Sequence, residues 1–272
     1  MNLKYYGTAA AEAIPALYCS CPLCEQARRA GGKEVRARHL STVDGDIEFD
    51  IGPDLFYQIR VLGLELRKVR HLVITHSHED HFDLNSLNLR AAPFSLALDA
   101  PLEIIGSLET IKLARCFMEG GIHLRGLIPR IAAPYEPLML DGGTVLTALP
   151  ANHAPGLGAM IYLLERRGKK LLYAHDTGPL FPEVIRFLAG RGLDGVSLDC
   201  TGVYHGAGAH HMQLSTCEDT ARELSSNGGL KKGAVLVISH FSHGGGALHA
   251  QLEGEAAKRG WVAAFDGMEI EI

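Results

Sequence analysis

The chain has 272 residues, of which 47% are hydrophobic and 21% are charged, and its formal net charge is −5. This is the composition of an ordinary globular protein, and the negative charge gives no support for a broad nucleic-acid-binding face. No stretch approaches the roughly 18 apolar residues of a membrane span, and the N-terminus lacks the long apolar core of a secretory signal. We therefore expect a cytoplasmic protein without membrane attachment, whose six cysteines are free or metal-bound.

Strand-like runs recur along the chain. In chain order they are 3–7, a hairpin over 39–51 that turns at 44–45, 69–75, a hairpin over 138–149 that turns at 141–143, 160–174, 195–198, 234–238, 261–265 and 268–272. Helical patterns cover 83–90, 107–119, 182–189, 215–225 and 247–259, and Ser215 with Glu218 has the spacing of a capping box. Hairpins dominate the first half, and helices alternate with strands in the second. This mixture predicts one α/β domain over residues 1–272, with two packed sheets and helices outside.

A run of metal-ligand residues follows the predicted strand 69–75. The segment His76-Ser77-His78-Glu79-Asp80-His81 holds three imidazoles and two carboxylates within six residues. An isolated surface histidine most often has no functional role, but this many histidines and carboxylates in six residues indicate a metal site. Neutral imidazole and carboxylate are ligands that suit Zn, Mn, Fe or Ni. His76 and His78 can share one side of an extended segment, while Asp80 and His81 can reach a second point.

Further candidate ligands follow three later strands. They are His153 after 145–149, Asp176 after 170–174 and His240 after 234–238. Loops at strand ends are a usual place for functional groups held by a rigid scaffold. His243 lies three residues beyond His240, and this spacing puts side chains on opposite faces of a strand. The residues alone leave open whether these two histidines serve one site, two sites or none.

Three cysteines are close together near the N-terminus. Cys19, Cys21 and Cys24 lie in ALYCSCPLC, where disulfides would be strained. Three thiolates provide all but one ligand of a closed tetrahedral zinc site, and the fourth is commonly a histidine. The spacing alone leaves zinc and free thiols as equal alternatives. The remaining cysteines are spaced singly, which is typical of buried small hydrophobic residues.

The order of these motifs resembles that of the metallo-β-lactamase superfamily. The resemblance implies an α/β fold, an αββα sandwich of two mixed sheets flanked by helices. It also implies two divalent catalytic metals, Mn or Zn, with Asp176 bridging them. The two ligand sets that it implies are His76, His78 and His153, and Asp80, His81 and His240. Asp50 looks like the superfamily's acid that orients a ligand histidine, although a turn residue before Gly52 fits its position equally well. His175 is expected to be a neighbour of the site and not a ligand.

A narrower resemblance, to the PhnP family of cyclic phosphodiesterases, runs nearly end to end. It rests on GTAAAEAIP at 7–15, the three cysteines, the pair His240 and His243, and FDGMEI at 265–270. It implies that His243 completes a structural zinc site with the cysteines, while His240 serves the catalytic pair. It further implies that His211 lies near the substrate phosphate, although His205 or His210 could substitute and a solvated loop is the plain alternative. The region 82–135 does not align, and we expect it to form part of the substrate-pocket wall.

The resemblance implies metal-dependent hydrolysis of a small phosphodiester, such as a cyclic ribosyl phosphodiester. Asp80 and Asp176 would place the metals that activate a hydroxide, and His211 would bind the phosphate or protonate the leaving alkoxide. A tRNA 3′-end endonuclease is an alternative, against which the acidic composition counts. A lactone or thioester hydrolase is another, and a non-catalytic metal-binding or ligand-sensing protein is a third. The oligomeric state stays open, with a homodimer as one alternative.

Overall fold

The strands and helices are described by a computed structural model over residues 1–119, 126–206 and 208–272. The strands in these ranges are β1 Asn2–Gly7, β2 Leu40–Val43, β3 Ile47–Phe49, β4 His71–Val73, β5 Leu102–Gly106, β6 Leu127–Ile131, β7 Pro137–Met139, β8 Val145–Pro150, β9 Met160–Arg166, β10 Lys169–Ala174, β11 Leu193–Asp199, β12 Leu230–Ser239, β13 Val262–Ala263 and β14 Glu269–Glu271. The α-helices there are α1 Pro22–Ala30, α2 Leu55–Arg60, α3 Leu84–Leu87, α4 Leu108–Glu119, α5 Pro182–Leu188, α6 Leu214–Ser226 and α7 His249–Lys258.

The strands form two sheets of seven. The first has the order β14-β1-β2-β3-β4-β5-β6, and the second has the order β13-β12-β11-β10-β9-β8-β7. Neighbours from β3 to β6 and from β10 to β13 are parallel, while the other pairs are antiparallel. Both sheets are therefore mixed. The predicted architecture of two mixed sheets with helices outside is confirmed.

Apolar side chains fill three layers. Between the sheets, Phe49 stacks on Tyr173 with ring centroids 4.0 Å apart, and both are fully buried. Leu188 of α5 and Leu252 of α7 pack on the outer face of the second sheet. A smaller cluster that includes Leu55 of α2 covers the outer face of the first sheet. In the part of the chain that the structure describes, no helix is long and apolar enough to cross a membrane.

Several local predictions differ from the structure. Strands β5 and β6 and helices α1 and α2 were not predicted, because each is short: the two strands have five residues each, and the helices have nine and six. The predicted capping box of Ser215 with Glu218 is wrong. Helix α6 begins earlier, where the backbone N–H of Gln213 donates to Oγ1 of Thr216 at 2.9 Å. Burial of Leu214 against the second sheet explains the earlier start, since it draws the first turn into the core.

The topology places the predicted ligands at one edge of the sandwich. Strands β8, β10, β11 and β12 run in the same direction in the second sheet, so that their carboxyl ends lie along one edge. The loop after β4 of the first sheet meets this edge, because the Met160 N–H at the start of β9 donates to the Thr75 carbonyl at 2.9 Å. Residues far apart in the chain can therefore converge there.

Candidate metal centre

One group of ligand atoms comes from the loops after β4, β8 and β10. The Nε2 of His76 lies 3.2 Å from Oδ2 of Asp176 and 2.7 Å from Nδ1 of His78. The Nε2 of His153 lies 3.3 Å from the same Nδ1 of His78. One ligand atom from each of these four residues falls within 4.8 Å of all the others.

A second group lies directly beside the first. The Nε2 of His81 is 3.1 Å from Oδ2 of Asp80, and His240 completes this group. The same Nε2 of His81 is also 3.2 Å from Oδ2 of Asp176. Asp176 therefore touches imidazoles of both groups through one oxygen, which is the place of a bridging ligand.

The unpaired atoms of the centre fit a pair of cations. Buried polar atoms are normally hydrogen-bonded, yet Nε2 of His81, Nε2 of His240 and Oδ1 of Asp176 are buried without a hydrogen-bond partner among the residues that the structure describes. Metal–ligand bonds of about 2.0–2.2 Å in a tetrahedral site separate neighbouring ligand atoms by about 3.4 Å. The distances of 3.1 to 3.3 Å around Asp176 and Asp80 are close to this value.

Buried acceptors turn two of the imidazoles toward the centre. The Nδ1 of His81 lies 2.8 Å from the fully buried Asp50 carboxylate, and Nδ1 of His240 lies 2.8 Å from Oγ1 of Thr201. Each ring then presents Nε2 to the centre, as ligand histidines do when a neighbour fixes the other nitrogen. Asp50 is thus placed behind His81, and it also accepts the backbone N–H of Thr75 at 2.7 Å.

Three residues of the centre have left-handed backbone conformations. The φ angles are +65° at Asp50, +49° at Asp176 and +62° at His240. Residues other than glycine rarely adopt this region, and such strain persists only where the surroundings hold it. Here Asp50 and His240 directly follow a strand, and Asp176 lies two residues after one. Each turns its side chain toward or behind the centre.

The electrostatics of the centre favour ionised carboxylates. Burial would raise the pKa of Asp176, but the imidazoles of His240, His76 and His81 outweigh it and hold this pKa well below its usual range. Burial also opposes ionisation of Asp80, yet His81 brings its pKa below the ordinary value. A buried and a partly buried carboxylate, both ionised and both beside imidazoles, are a suitable environment for cations.

Of the three histidines proposed to meet the substrate, His211 lies at the centre. Its Nδ1 is 3.2 Å from Oδ1 of Asp176 and 3.4 Å from Oδ2 of Asp199. Burial lowers its pKa, but the contacts with Asp199 and Asp176 more than compensate, so that the pKa is raised. His205 is exposed, and His210 is exposed with Nδ1 3.3 Å from the carbonyl of Asn152.

A cavity of about 280 Å³ opens beside this centre. His211 lines it together with Asn152, Pro179 and Gln213. The link between the cavity and the centre is His211, whose Nδ1 lies 3.2 Å from Oδ1 of Asp176. It is large enough for a small substrate only.

Asp199 is a residue of the centre that the sequence analysis missed. It is fully buried at the end of β11, and its Oδ2 lies 3.3 Å from Nδ1 of His240. Burial would raise its pKa, but hydrogen bonds from His211 and His240 lower it to about 2. Asp199 therefore joins His211 to His240. Its position at the end of a buried strand is the sequence signal that could have identified it.

His175 lies behind the centre, inside the protein. Its Nδ1 is 2.7 Å from Nε2 of His39, and its Nε2 is 2.6 Å from Oγ of Ser197. His39 in turn contacts the hydroxyl of Tyr173. Both ring nitrogens of His175 are engaged with these buried groups.

The three cysteines and His243 form a separate group. The Nδ1 of His243 lies 3.6 Å from Sγ of Cys19 and 3.5 Å from Sγ of Cys21, and Cys24 completes the group. Zinc bonds of about 2.3 Å to sulfur and about 2.0 Å to nitrogen would separate tetrahedral ligands by about 3.5 Å. His243 lowers the pKa of Cys21 to about 6, while burial raises that of Cys24 to about 11. A cation would allow both thiols to ionise together.

A family model and a known protein each match most of the chain. A family model described as Beta-lactamase superfamily domain covers residues 46–241. Coenzyme PQQ synthesis protein B of Azoarcus sp. (strain BH72) is 26% identical over 227 residues, which cover 74% of this chain and 73% of that protein.

Two solved structures share the fold over the full chain. The Zn(2+)-bound PqqB from Methylobacterium extorquens has a TM-score of 0.79 and 18% identity, with all of both chains covered. A diphosphatase from the PhnP family has a TM-score of 0.73 and 20% identity, with 100% of this chain and 97% of that chain covered. At identities of 18% and 20%, this similarity shows that the fold is shared.

Proposed function

The chain belongs to the beta-lactamase superfamily, and from this premise we propose that it is a metal-dependent hydrolase that cleaves a small phosphodiester. The observation that carries the proposal is the position of Asp176. One oxygen of its carboxylate lies 3.2 Å from the imidazoles of His76 and His81, which belong to different groups. This arrangement suits two cations that share a carboxylate.

In this proposal seven side chains hold the two cations. Those of the first group are His76, His78 and His153, those of the second are Asp80, His81 and His240, and Asp176 contributes to both. Two divalent cations held there, Mn or Zn, would supply Lewis acidity, which lowers the pKa of water and offsets negative charge on the phosphoryl oxygens. Asp80, kept ionised by His81, accepts a hydrogen bond from the attacking water.

His211 is the proposed contact to the substrate phosphate. Asp199 and Asp176 raise its pKa and favour the protonated imidazole. A protonated imidazole can bind an anionic phosphoryl oxygen, or it can transfer its proton to the leaving alkoxide. The cavity of about 280 Å³ beside it supports a small phosphodiester such as a cyclic ribosyl phosphate, because its volume suits a small molecule.

The group formed by the three cysteines and His243 has a different role in the proposal. We assign Cys19, Cys21, Cys24 and His243 to a structural zinc, since four protein ligands would leave no open position for a substrate. The two histidines of ISHFSH then serve different metals. His240 belongs to the catalytic pair, and His243 belongs to the site that fixes the N-terminal loop.

Hydrolysis of bis-p-nitrophenyl phosphate with added Mn²⁺ tests the proposal, with the wild type compared with Asp80→Ala. We expect a metal-dependent rate that the variant loses, and we expect cleavage of a ribosyl 1,2-cyclic phosphate under the same conditions. A protein without any metal-dependent rate would be a metal-binding or ligand-sensing protein instead. Cleavage of precursor tRNA alone would indicate a nuclease, and cleavage of a lactone or thioester alone would also contradict the proposal.

A further inference from the structure

A second cavity, of about 420 Å³, lies on the outer face of the first sheet. Glu48 of β3 and Leu72 of β4 form its floor, and Phe56 and Ile59 of α2 form one wall. The opposite wall comes from residues 86–102, which connect the short helix α3 to strand β5. This volume falls within the range of small-molecule binding sites. The cavity shares no lining residue with the smaller cavity beside His211.

The mouth of this cavity exposes large apolar side chains. Phe56 is 79% exposed and Leu89 is 58% exposed, although both line the cavity. Aliphatic side chains also line the interior, including Leu72 and Leu102. An open apolar cavity with an apolar rim is a typical place for the apolar part of a ligand.

Two arginines give the cavity a positive charge. Arg67 is paired with Asp99 at 2.9 Å, but within the described ranges neither Arg70 nor Arg90 has a carboxylate within 4.0 Å. Arg70 donates to the backbone carbonyl of Arg67, and Arg90 donates to that of Ala100. The Nε of Arg90 is buried and has no hydrogen-bond partner in residues 1–119, 126–206 and 208–272. Both guanidinium groups therefore retain donors for an anion.

The buried Glu48 does not cancel this charge. Its side chain is 1% exposed, and its Oε1 has no hydrogen-bond partner in the described part of the chain. Burial, with a smaller contribution from Asp50, raises the pKa of Glu48 to about 8. The carboxyl group is therefore mainly neutral at pH 7, and the cavity combines apolar walls with net positive charge.

We propose that this cavity binds an amphipathic organic acid, whose apolar chain packs on Phe56, Leu72 and Leu89 and whose carboxylate meets Arg90 and Arg70. Guanidinium groups bind carboxylates through paired, charge-assisted hydrogen bonds. This binding site is independent of the metal centre and of the phosphodiesterase activity proposed above.

Titration calorimetry of the full-length protein with sodium decanoate tests this proposal, with decylamine as the ligand of opposite charge. We expect saturable binding of one decanoate per chain and at least 10-fold weaker binding of decylamine. Arg90→Gln removes one guanidinium, and Ala97→Trp fills the mouth of the cavity at an exposed position. Each should weaken decanoate binding at least 10-fold. The exposed Arg222→Gln, on α6, is the matched control and should leave binding unchanged.

Circular dichroism and thermal unfolding establish that each variant is folded before its binding is compared. The proposal is overturned if decanoate does not bind, or if decylamine binds as tightly as decanoate. It is also overturned if folded Arg90→Gln and Ala97→Trp bind decanoate like the wild type. A dimer in sedimentation velocity that Ala97→Trp disrupts, without any decanoate binding, would assign this apolar face to self-association.

Discussion

The Nδ1 of His81 lies 2.8 Å from the carboxylate of Asp50, which is itself fully buried and bound to the backbone N–H of Thr75. This contact fixes the plane of the imidazole and leaves its Nε2 facing Asp80 and Asp176. Orientation of one candidate ligand is therefore set by a residue 31 positions earlier, at the end of another strand.

Replacement of this carboxylate should weaken metal binding. In Asp50→Asn the amide no longer provides a charged acceptor, so His81 loses its fixed tautomer and orientation. We expect a 10- to 100-fold higher Mn²⁺ concentration for half-maximal hydrolysis of bis-p-nitrophenyl phosphate. Asp219→Asn, at an exposed position on α6, is the control. An unchanged Mn²⁺ dependence in Asp50→Asn would rule out the orienting role.

Loss of Asp176 should affect both cations of the centre together. Its Oδ2 contacts His76 and His81 at 3.2 Å each, so Asp176→Ala removes a ligand from both groups. Elemental analysis after metal loading and dialysis should give two fewer cations per chain than in the wild type, while the zinc held by sulfur is retained. Loss of only one cation would show that Asp176 belongs to a single site.

His211 should be required for turnover and not for metal content. We expect His211→Ala to lower kcat by about 10²- to 10⁴-fold, the usual contribution of a general acid. His210→Ala is the matched control, because His210 is the exposed neighbour and should change kcat by a few-fold at most. Elemental analysis should show the same metal content in both variants. A larger loss of kcat in His210→Ala than in His211→Ala would reverse the assignment.

Removal of a sulfur ligand should lower stability. Cys24→Ser should release one zinc per chain and reduce the free energy of unfolding by on the order of a few kcal/mol, since structural zinc couples to folding. Chemical denaturation and a colorimetric zinc assay measure these two effects. Cys116→Ser, at an exposed position outside the group, should change neither. If Cys24→Ser retains its zinc and its stability, the three cysteines do not form a structural site.

The buried Glu48 predicts a specific dependence of stability on pH. Because its pKa is raised from 4.5 to about 8 in the folded protein, folding favours the protonated carboxyl. Its contribution is fully present below about pH 4.5 and is lost as the pH rises toward 8. Glu48→Gln should therefore gain stability relative to the wild type between pH 5 and 8, by up to about 1.4 kcal/mol per pH unit. Urea denaturation at pH 5 and at pH 8 measures the free energy of unfolding of both proteins. If the difference between Glu48→Gln and the wild type is the same at the two pH values, the prediction is wrong.

Much of the metal centre could be predicted from local sequence. His76, His78, Asp80 and His81 occupy one loop, and a loop that follows a buried strand holds such residues together whatever the rest of the chain does. The position of His153, Asp176 and His240 after later strands was also visible, as was the group of three cysteines. The resemblance to the superfamily then supplied the ligand sets, and the family match and the fold bear out that resemblance.

Other features depended on the order of the strands within the sheets. The end of a buried strand marks Asp199 as a candidate, but it lies at the centre because β11 is placed between β10 and β12, and this strand order is not visible in a local pattern. The choice of His211 over His210 depends on which of two adjacent side chains turns inward from one loop. The apolar cavity under α2 likewise exists only because residues 86–102 fold back over β3 and β4.

The residue types that follow each strand can be read directly along the chain, because strand periods and loop composition depend on neighbouring residues. Which of these residues face one another is set by the folded structure. This arrangement requires the pairing of strands and the packing of two sheets, and both are set by contacts between distant segments that a single sequence does not display.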